Sequence, residues 1–337
     1  MRSSDLRPDS RSAVIAGLGT CLPVGAVGNA DLARILDTDD AWIRSRTGIA
    51  SRRQVSDDVS MTDLACAAGV NALDSAGVSA VGGVVLATST PDRPCPPAAP
   101  EVAHRLGLGQ VPAFDVSAVC SGFVYGLATA CGLLAARVAD SVLVVAAETY
   151  SRIVDPADRA TAVLFGDGAG AVVLRRGEVA EPGALLAFDL GSDGADAELI
   201  RVPGVREQPD GERWFAMAGR KVYLRAVERM AGSALRVMKD CSWAPGSVDV
   251  FVPHQANLRI VDAVAGRLGL PPGRAVSALA EVGNTAAASI PLALADALSS
   301  RVLTPGARTV LTAFGGGLTW ASAALIWPQL TPVSTEV

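Results

Sequence analysis

The chain has 337 residues, 50% of them hydrophobic, 19% charged and only 4% aromatic, with a formal net charge of −5. That is ample for a large core and somewhat more than one average domain. A net acidic chain without an extended basic tract is a poor match to nucleic acid. No charge-free apolar run of about 18 residues or more is present to span a membrane.

Residues 1–11 are polar and charged, hold no hydrophobic signal core and read as a loose tail. Ala13 to Thr20 reads as a first strand running into a turn. Thr38-Asp39-Asp40-Ala41-Trp42 offers a capped helix start. Val81 to Ala87, Ser141 to Ala147 and Ala169 to Leu174 are buried strands separated by helical stretches, an alternation that predicts a mostly parallel α/β sheet. A second set follows at Ala184 to Asp189, Val248 to Val252, Thr309 to Phe314 and Ala321 to Ile326, with a helix from Lys221 to Lys239. The polar, Pro- and Gly-containing segment from Arg176 to Gly183 marks a boundary, giving halves 1–178 and 179–337 of comparable element order. Cys21, Cys66, Cys95, Cys120, Cys131 and Cys241 show neither paired nor metal-binding spacing. Apart from Cys120 they read as buried or reduced thiols of a cytoplasmic protein.

The segment Asp115-Val116-Ser117-Ala118-Val119-Cys120 is small and turn-prone, and the apolar run from Phe123 to Ala136 after it reads as a buried helix. Cys120 then sits at a helix N-terminus, where unpaired N–H groups favour an anion. A thiol there is expected to have a lowered pKa and to act as a nucleophile, although a lone cysteine is often only a small buried hydrophobe.

There are two histidines. His104 falls at the end of an amphipathic helix and reads as structural. His254 follows Val248 to Pro253, a buried strand ended by proline, and precedes a helical pattern from Leu258. That is the usual place for chemistry in an α/β sheet. Asn284 lies in Gly283-Asn284-Thr285, which by itself reads as a turn. Together the three have a chemical logic. A cysteine thiolate attacks an acyl carbonyl, while a neutral His Nε2 and an Asn amide donate to an oxyanion on a second substrate. The glycines of Phe314-Gly315-Gly316-Gly317-Leu318-Thr319-Trp320 either form a flexible turn or bring backbone N–H groups to the first oxyanion.

Asp115 to Leu127, Phe251 to Ile260, Gly283 to Thr285 and Phe314 to Trp320 resemble the β-ketoacyl-acyl carrier protein synthase III family. Phe165-Gly166-Asp167-Gly168-Ala169-Gly170 and Trp42-Ile43-Arg44-Ser45-Arg46-Thr47-Gly48-Ile49 match as well. The resemblance runs in order over essentially the whole chain. It implies a thiolase-like fold, with two duplicated α/β halves in an α-β-α-β-α arrangement. It also implies a decarboxylative Claisen condensation of an acyl-coenzyme A starter with malonyl-acyl carrier protein. In that reaction Cys120 is the nucleophile, His254 and Asn284 stabilise the enolate, and the N–H groups of Cys120 and Gly316 form an oxyanion hole. No metal or redox cofactor is implied, the coenzyme A thioester being a substrate.

Coenzyme A recognition carries over to Trp42, Arg46, Arg159, Gly219 and Asn257. Trp42 and Arg46 would also suit an ordinary solvated helix, and Asn257 would suit a helix cap. Carrier-protein docking falls on Lys221, Arg225 and Arg259, with Arg229 extending the stripe, unless that face is simply solvated. Cys95, Phe165 and Met217 are the expected acyl-pocket walls. Cys95 would reach the pocket across a homodimer interface, and its small size predicts starters larger than acetyl, unless loop conformation sets the pocket. Two other classes share the fold: an acyltransferase serving a small-molecule acceptor, and a non-catalytic partner subunit. The intact Cys-His-Asn set argues against the subunit. Asn284 favours condensation, since a neutral amide donates to an enolate.

Overall fold

The computed structural model describes residues 11–337. The stretch read as a loose tail lies outside them, except for Arg11, which already begins the first strand. The two main sheets are built from β1 (Arg11–Leu22), β2 (Val84–Ala87), β3 (Ala113–Val116), β4 (Ser141–Thr149), β5 (Asp167–Glu178), β6 (Leu185–Ser192), β7 (Val250–Pro253), β8 (Arg308–Gly315), β9 (Thr319–Ile326) and β10 (Val333–Glu336). One sheet has the order β10-β1-β5-β4-β2-β3 and the other β7-β8-β9-β6. The polar segment read as a boundary is where the chain leaves the first sheet at Glu178 and enters the second at Leu185.

The sheets are mixed rather than mostly parallel. β2 pairs in parallel with β3 and β4, β1 with β10, and β7 with β8. β5 runs antiparallel to both β1 and β4. β9 runs antiparallel to β8 and β6. The reason for the β8–β9 pairing is local: a short glycine turn joins them, and only antiparallel neighbours can be joined that way.

The helices that matter here are α1 (Asp40–Thr47), α2 (Met61–Ala76), α3 (Ala99–Arg105), α4 (Gly122–Ala135), α5 (Gly219–Asp240), α6 (Leu258–Leu268) and α7 (Ser289–Ser299). α1 starts as its sequence predicts, with the Asp39 carboxylate accepting from Trp42 N–H at 2.7 Å. α4 and α7 form a middle layer. Leu127, Leu134, Ala293 and Leu294 share one core with Val144 and Val172 of the first sheet and Val252 and Leu311 of the second. α2 and α3 cover the far face of the first sheet, and α5 and α6 that of the second. The result is five layers, α-β-α-β-α. It explains why β4 is apolar on both faces, from Val142 to Ala147.

Close approach dictates glycine at a few places. A Cβ on Gly19 would lie 2.1 Å from Ala72 N, so β1 and α2 pack backbone to backbone there. Replacing Gly19 by Ala should lower unfolding free energy by roughly 1–3 kcal/mol through overpacking. Gly132, in α4, meets nothing within 4 Å, and its replacement by Ala should raise stability by roughly 0.5–1 kcal/mol. Urea midpoints at constant slope would report both changes. Equal midpoints for the two variants would contradict the packing argument.

Candidate active site

Cys120 lies in a short 3-10 turn, Val119–Ser121, that runs directly into α4. Val119 sits at φ 48°, a costly conformation for a β-branched residue. The glycine turn between β8 and β9 holds it there. A Cβ on Gly315 would lie 2.8 Å from Cys120 N. The Thr319 hydroxyl donates to Ala118 O at 2.9 Å and lies 3.1 Å from Ser121 Oγ. Cys120, in the first half, is therefore clamped by a turn of the second.

His254 directly follows β7, its N–H donating to Thr312 O at 2.7 Å, and its Nδ1 lies 2.7 Å from Ser289 Oγ. The ring is buried, which pushes its pKa down to about 3 and leaves it neutral at physiological pH. Asn284 is held by its backbone, which donates to Leu164 O at 2.9 Å and accepts from Gly166 N–H at 3.0 Å. Its Oδ1 accepts from Ala286 N–H at 2.9 Å, which leaves the amide NH2 to donate. Cys120, His254 and Asn284 line one cavity of about 40 Å³ together with Phe165, Met217 and Phe314.

The other expected residues divide. Trp42 and Arg159 come together, the guanidinium 4.8 Å from the indole ring centre, and Arg46 is exposed on the same helix as Trp42. Gly219 opens α5 with open space beside it. Asn257 caps α6, its Oδ1 accepting from Ile260 N–H at 3.0 Å. The basic stripe is partly neutralised: Arg225 pairs with Asp196 at 2.8 Å and Arg229 with Asp193 at 3.2 Å. Lys221 and Arg259 are exposed, with Arg259 5.8 Å from the Tyr223 ring centre. Phe165 and Met217 are cavity walls, but Cys95 is exposed on its loop and does not line this chain's cavity.

Several residues were not anticipated. Tyr150 stacks on Phe165 at 4.7 Å, and Phe215 meets both rings edge-on. Glu148 is fully buried at the end of β4, accepting from Ser89 Oγ at 2.9 Å and Thr90 Oγ1 at 2.7 Å. Burial pushes its pKa up to about 7. A carboxylate closing the apolar run Val142 to Ala147 was the available signal. Ser289 gave none beyond its place after the alanines.

The expected acidification of Cys120 is reversed. Burial pushes the thiol up, and the nearby Glu148 carboxylate adds to it, while a backbone hydrogen bond opposes both. The helix start is in place, but desolvation outweighs it in the free protein.

Residues 114–194, which include Cys120, match the model for 3-oxoacyl-[acyl-carrier-protein (ACP)] synthase III. Residues 238–327 match that for the synthase III C terminal. Beta-ketoacyl-[acyl-carrier-protein] synthase III 5 of Streptomyces coelicolor is 56% identical over 330 residues, covering 96% of this chain and 99% of its own. The chain belongs to the β-ketoacyl-acyl carrier protein synthase III family. The solved structure of 3-oxoacyl-(acyl carrier protein) synthase III from Pseudomonas aeruginosa superposes with a TM-score of 0.92 at 52% identity, covering 95% of this chain and 100% of that one. A priming β-ketosynthase from a polyketide biosynthetic pathway gives 0.90 at 33% identity, covering 96% and 98%. This synthase III is thus an enzyme of the acyltransferase type on a thiolase-like fold.

Because the Cys120 pKa is raised, its thiolate is scarcer at neutral pH than that of an ordinary thiol. Alkylation of Cys120 by iodoacetamide, followed by peptide mass spectrometry, should keep rising between about pH 7 and pH 10, across the ordinary thiol range. A plateau below neutrality would show the helix terminus outweighing burial.

Proposed function

We propose that this synthase III joins an acyl-coenzyme A starter to malonyl-acyl carrier protein by decarboxylative Claisen condensation, priming fatty-acid or polyketide synthesis. The supporting observation is one cavity wall that carries a thiol at a helix start, a neutral imidazole and an amide with its NH2 unspent. Cys120 sulfur attacks the starter thioester, the carbonyl oxygen is held by the N–H groups of Cys120 and Gly316, and coenzyme A leaves as its thiol. Malonyl thioester then loses carbon dioxide. The electron pair left behind becomes a thioester enolate, to which His254 and Asn284 donate. The enolate carbon attacks acyl-Cys120, and the sulfur departs with the bonding electrons. Two neutral donors suit an enolate, and no cofactor beyond the thioesters takes part.

Trp42, with Arg159 over its ring and Arg46 nearby, would receive the adenine and phosphates of coenzyme A. Gly219 and Asn257 would flank the pantetheine arm, Asn257 through its NH2, since its oxygen caps α6. Lys221 and Arg259 would meet the acidic carrier protein, with Arg225 joining only by giving up Asp196. A homodimer fits two features. β3 is an edge strand whose Phe114 is only partly buried, and the run from Pro91 to Pro97 is exposed between two anchors. Asp92 accepts from Met61 and Thr62 N–H groups, and Asp115 from those of Ala98 and Ala99. Six unpaired cysteines suit a reducing cytoplasm, and no helix among the described residues is long and apolar enough to cross a membrane.

Exchanging Asn284 for Asp should leave acyl transfer to Cys120 largely intact while lowering condensation roughly a hundredfold, the scale of a lost oxyanion donor. Intact-protein mass spectrometry reads the first step and carbon dioxide release the second. Equal losses would make Asn284 structural, and acyl transfer without carbon dioxide release in the unaltered enzyme would favour a small-molecule acceptor.

Starter size is the second test. Tyr150, Phe165 and Phe215 pack in one cluster with Cys120, beside a cavity of about 40 Å³. That is room for about three water-sized groups, the size of an acetyl unit. Tyr150→Ala should therefore raise the kcat/KM ratio of butyryl- to acetyl-coenzyme A by roughly tenfold. Two further methylenes are buried, each worth about 0.8 kcal/mol. An unchanged ratio would return control of starter size to the Cys95 loop.

A further inference from the structure

His254 has two ring nitrogens and, when neutral, a single ring proton. Only one of its two tautomers presents a donor to the cavity. Nδ1 points at Ser289 Oγ, 2.7 Å away, at the first residue of α7. Nε2 is the ring nitrogen left for the cavity that His254 lines with Cys120 and Asn284.

We propose that Ser289 is a positioning residue that fixes the tautomer of His254, its hydroxyl donating to Nδ1 so that the ring proton stays on Nε2. This rests on the reading of His254 as a donor to the enolate. The argument is a count of protons. A serine hydroxyl has one proton to give and two lone pairs to receive with. One lone pair of Ser289 Oγ is taken by the Gln255 backbone N–H, at 3.3 Å. The Gln255 side chain anchors that backbone, donating to Pro253 O at 2.6 Å and Val276 O at 3.2 Å while accepting from Ala278 N–H at 2.9 Å. If Nδ1 also carried a proton, Ser289 Oγ would receive two N–H groups and its own proton would have no acceptor among the described residues. Both side chains are 2% exposed, so an unpaired proton there is costly. With the proton on Nε2, the Ser289 hydroxyl, Nδ1 and the Gln255 N–H are all paired. The start of an eleven-residue helix behind Ser289 acts in the same direction, since its partial positive charge disfavours a second proton on the ring. Burial, which holds the imidazole neutral, agrees.

The chain's two histidines make the test direct. Full-length enzyme labelled with ¹⁵N-histidine gives two imidazole patterns in long-range ¹H–¹⁵N spectra, and His104→Gln assigns them. The expected pattern for His254 is the Nε2–H tautomer, unchanged through neutral pH. Ser289→Ala should mix the tautomers and lower decarboxylation of malonyl-carrier protein by roughly tenfold or more, because the wrong tautomer offers a lone pair where a donor is needed. Acyl transfer to Cys120 should stay within about twofold in that variant, since it does not draw on this donor, and Ser289→Thr, which keeps the hydroxyl, should restore decarboxylation. An Nδ1–H pattern in the unaltered enzyme overturns the proposal whether or not Ser289→Ala folds. So does an Nε2–H pattern that survives Ser289→Ala intact. A tautomer shift with decarboxylation unchanged upholds the role of Ser289 and instead removes His254 as the enolate donor.

Discussion

The contact on which the site depends is the one between the turn before α4 and the glycine turn between β8 and β9. The first carries Cys120 and belongs to one sheet's half. The second joins two strands of the other sheet. They meet so closely that Gly315 has no space for a Cβ beside Cys120 N, and Thr319 ties them with its hydroxyl. A left-handed valine at 119 persists because both sides of the turn are held. The fold is also closed at its far end: β10, in the last residues of the chain, returns to pair with β1, and Thr20 Oγ1 meets Ser334 Oγ at 2.8 Å.

Burial at that junction sets the electrostatics. It raises the Cys120 thiol, lowers the His254 imidazole and raises the Glu148 carboxyl. All three shifts favour the neutral form, as desolvation demands. The thiol and the imidazole of the resting site are therefore neutral dipoles rather than ions. That suits a reaction whose intermediates are oxyanions, because fixed donors need no reorganisation when charge develops. It also moves the cost of forming the thiolate to the step in which the substrate is present.

Local pattern singled out Cys120 and His254, which the fold brings to one cavity. Cys120 stood out because a turn-prone stretch meets a long apolar run, and His254 because a proline ends a buried strand just before a helix. What stayed hidden depends on distant contacts. Ser289 lies 35 residues from His254, and nothing in Ala288-Ser289-Ile290 signals a partner. The basic stripe on α5 was visible at four-residue spacing, but Asp193 and Asp196, which neutralise part of it, come from a different segment. A mostly parallel arrangement was expected because helices separate many of the strands. The pairing of β5 against both β1 and β4 arises from tertiary packing, which strand content alone does not encode.

The acyl pocket shows the same limit most sharply. A small residue at Cys95 argued for a roomy pocket, and the inference about volume is sound wherever that loop is the wall. In the single chain the space beside Cys120 is bounded instead by Phe165, with Tyr150 stacked behind it and Phe215 against both rings. The Tyr150 hydroxyl is anchored as well, 3.2 Å from Ser89 Oγ, which in turn donates to Glu148. An aromatic ring packed between two others and tethered at its polar tip resists displacement more than a loop thiol does. The aromatic wall is therefore the more firmly held of the two candidates for setting starter size. It is built from β4 and the segments that fold over it, while the Cys95 loop stands exposed in the single chain.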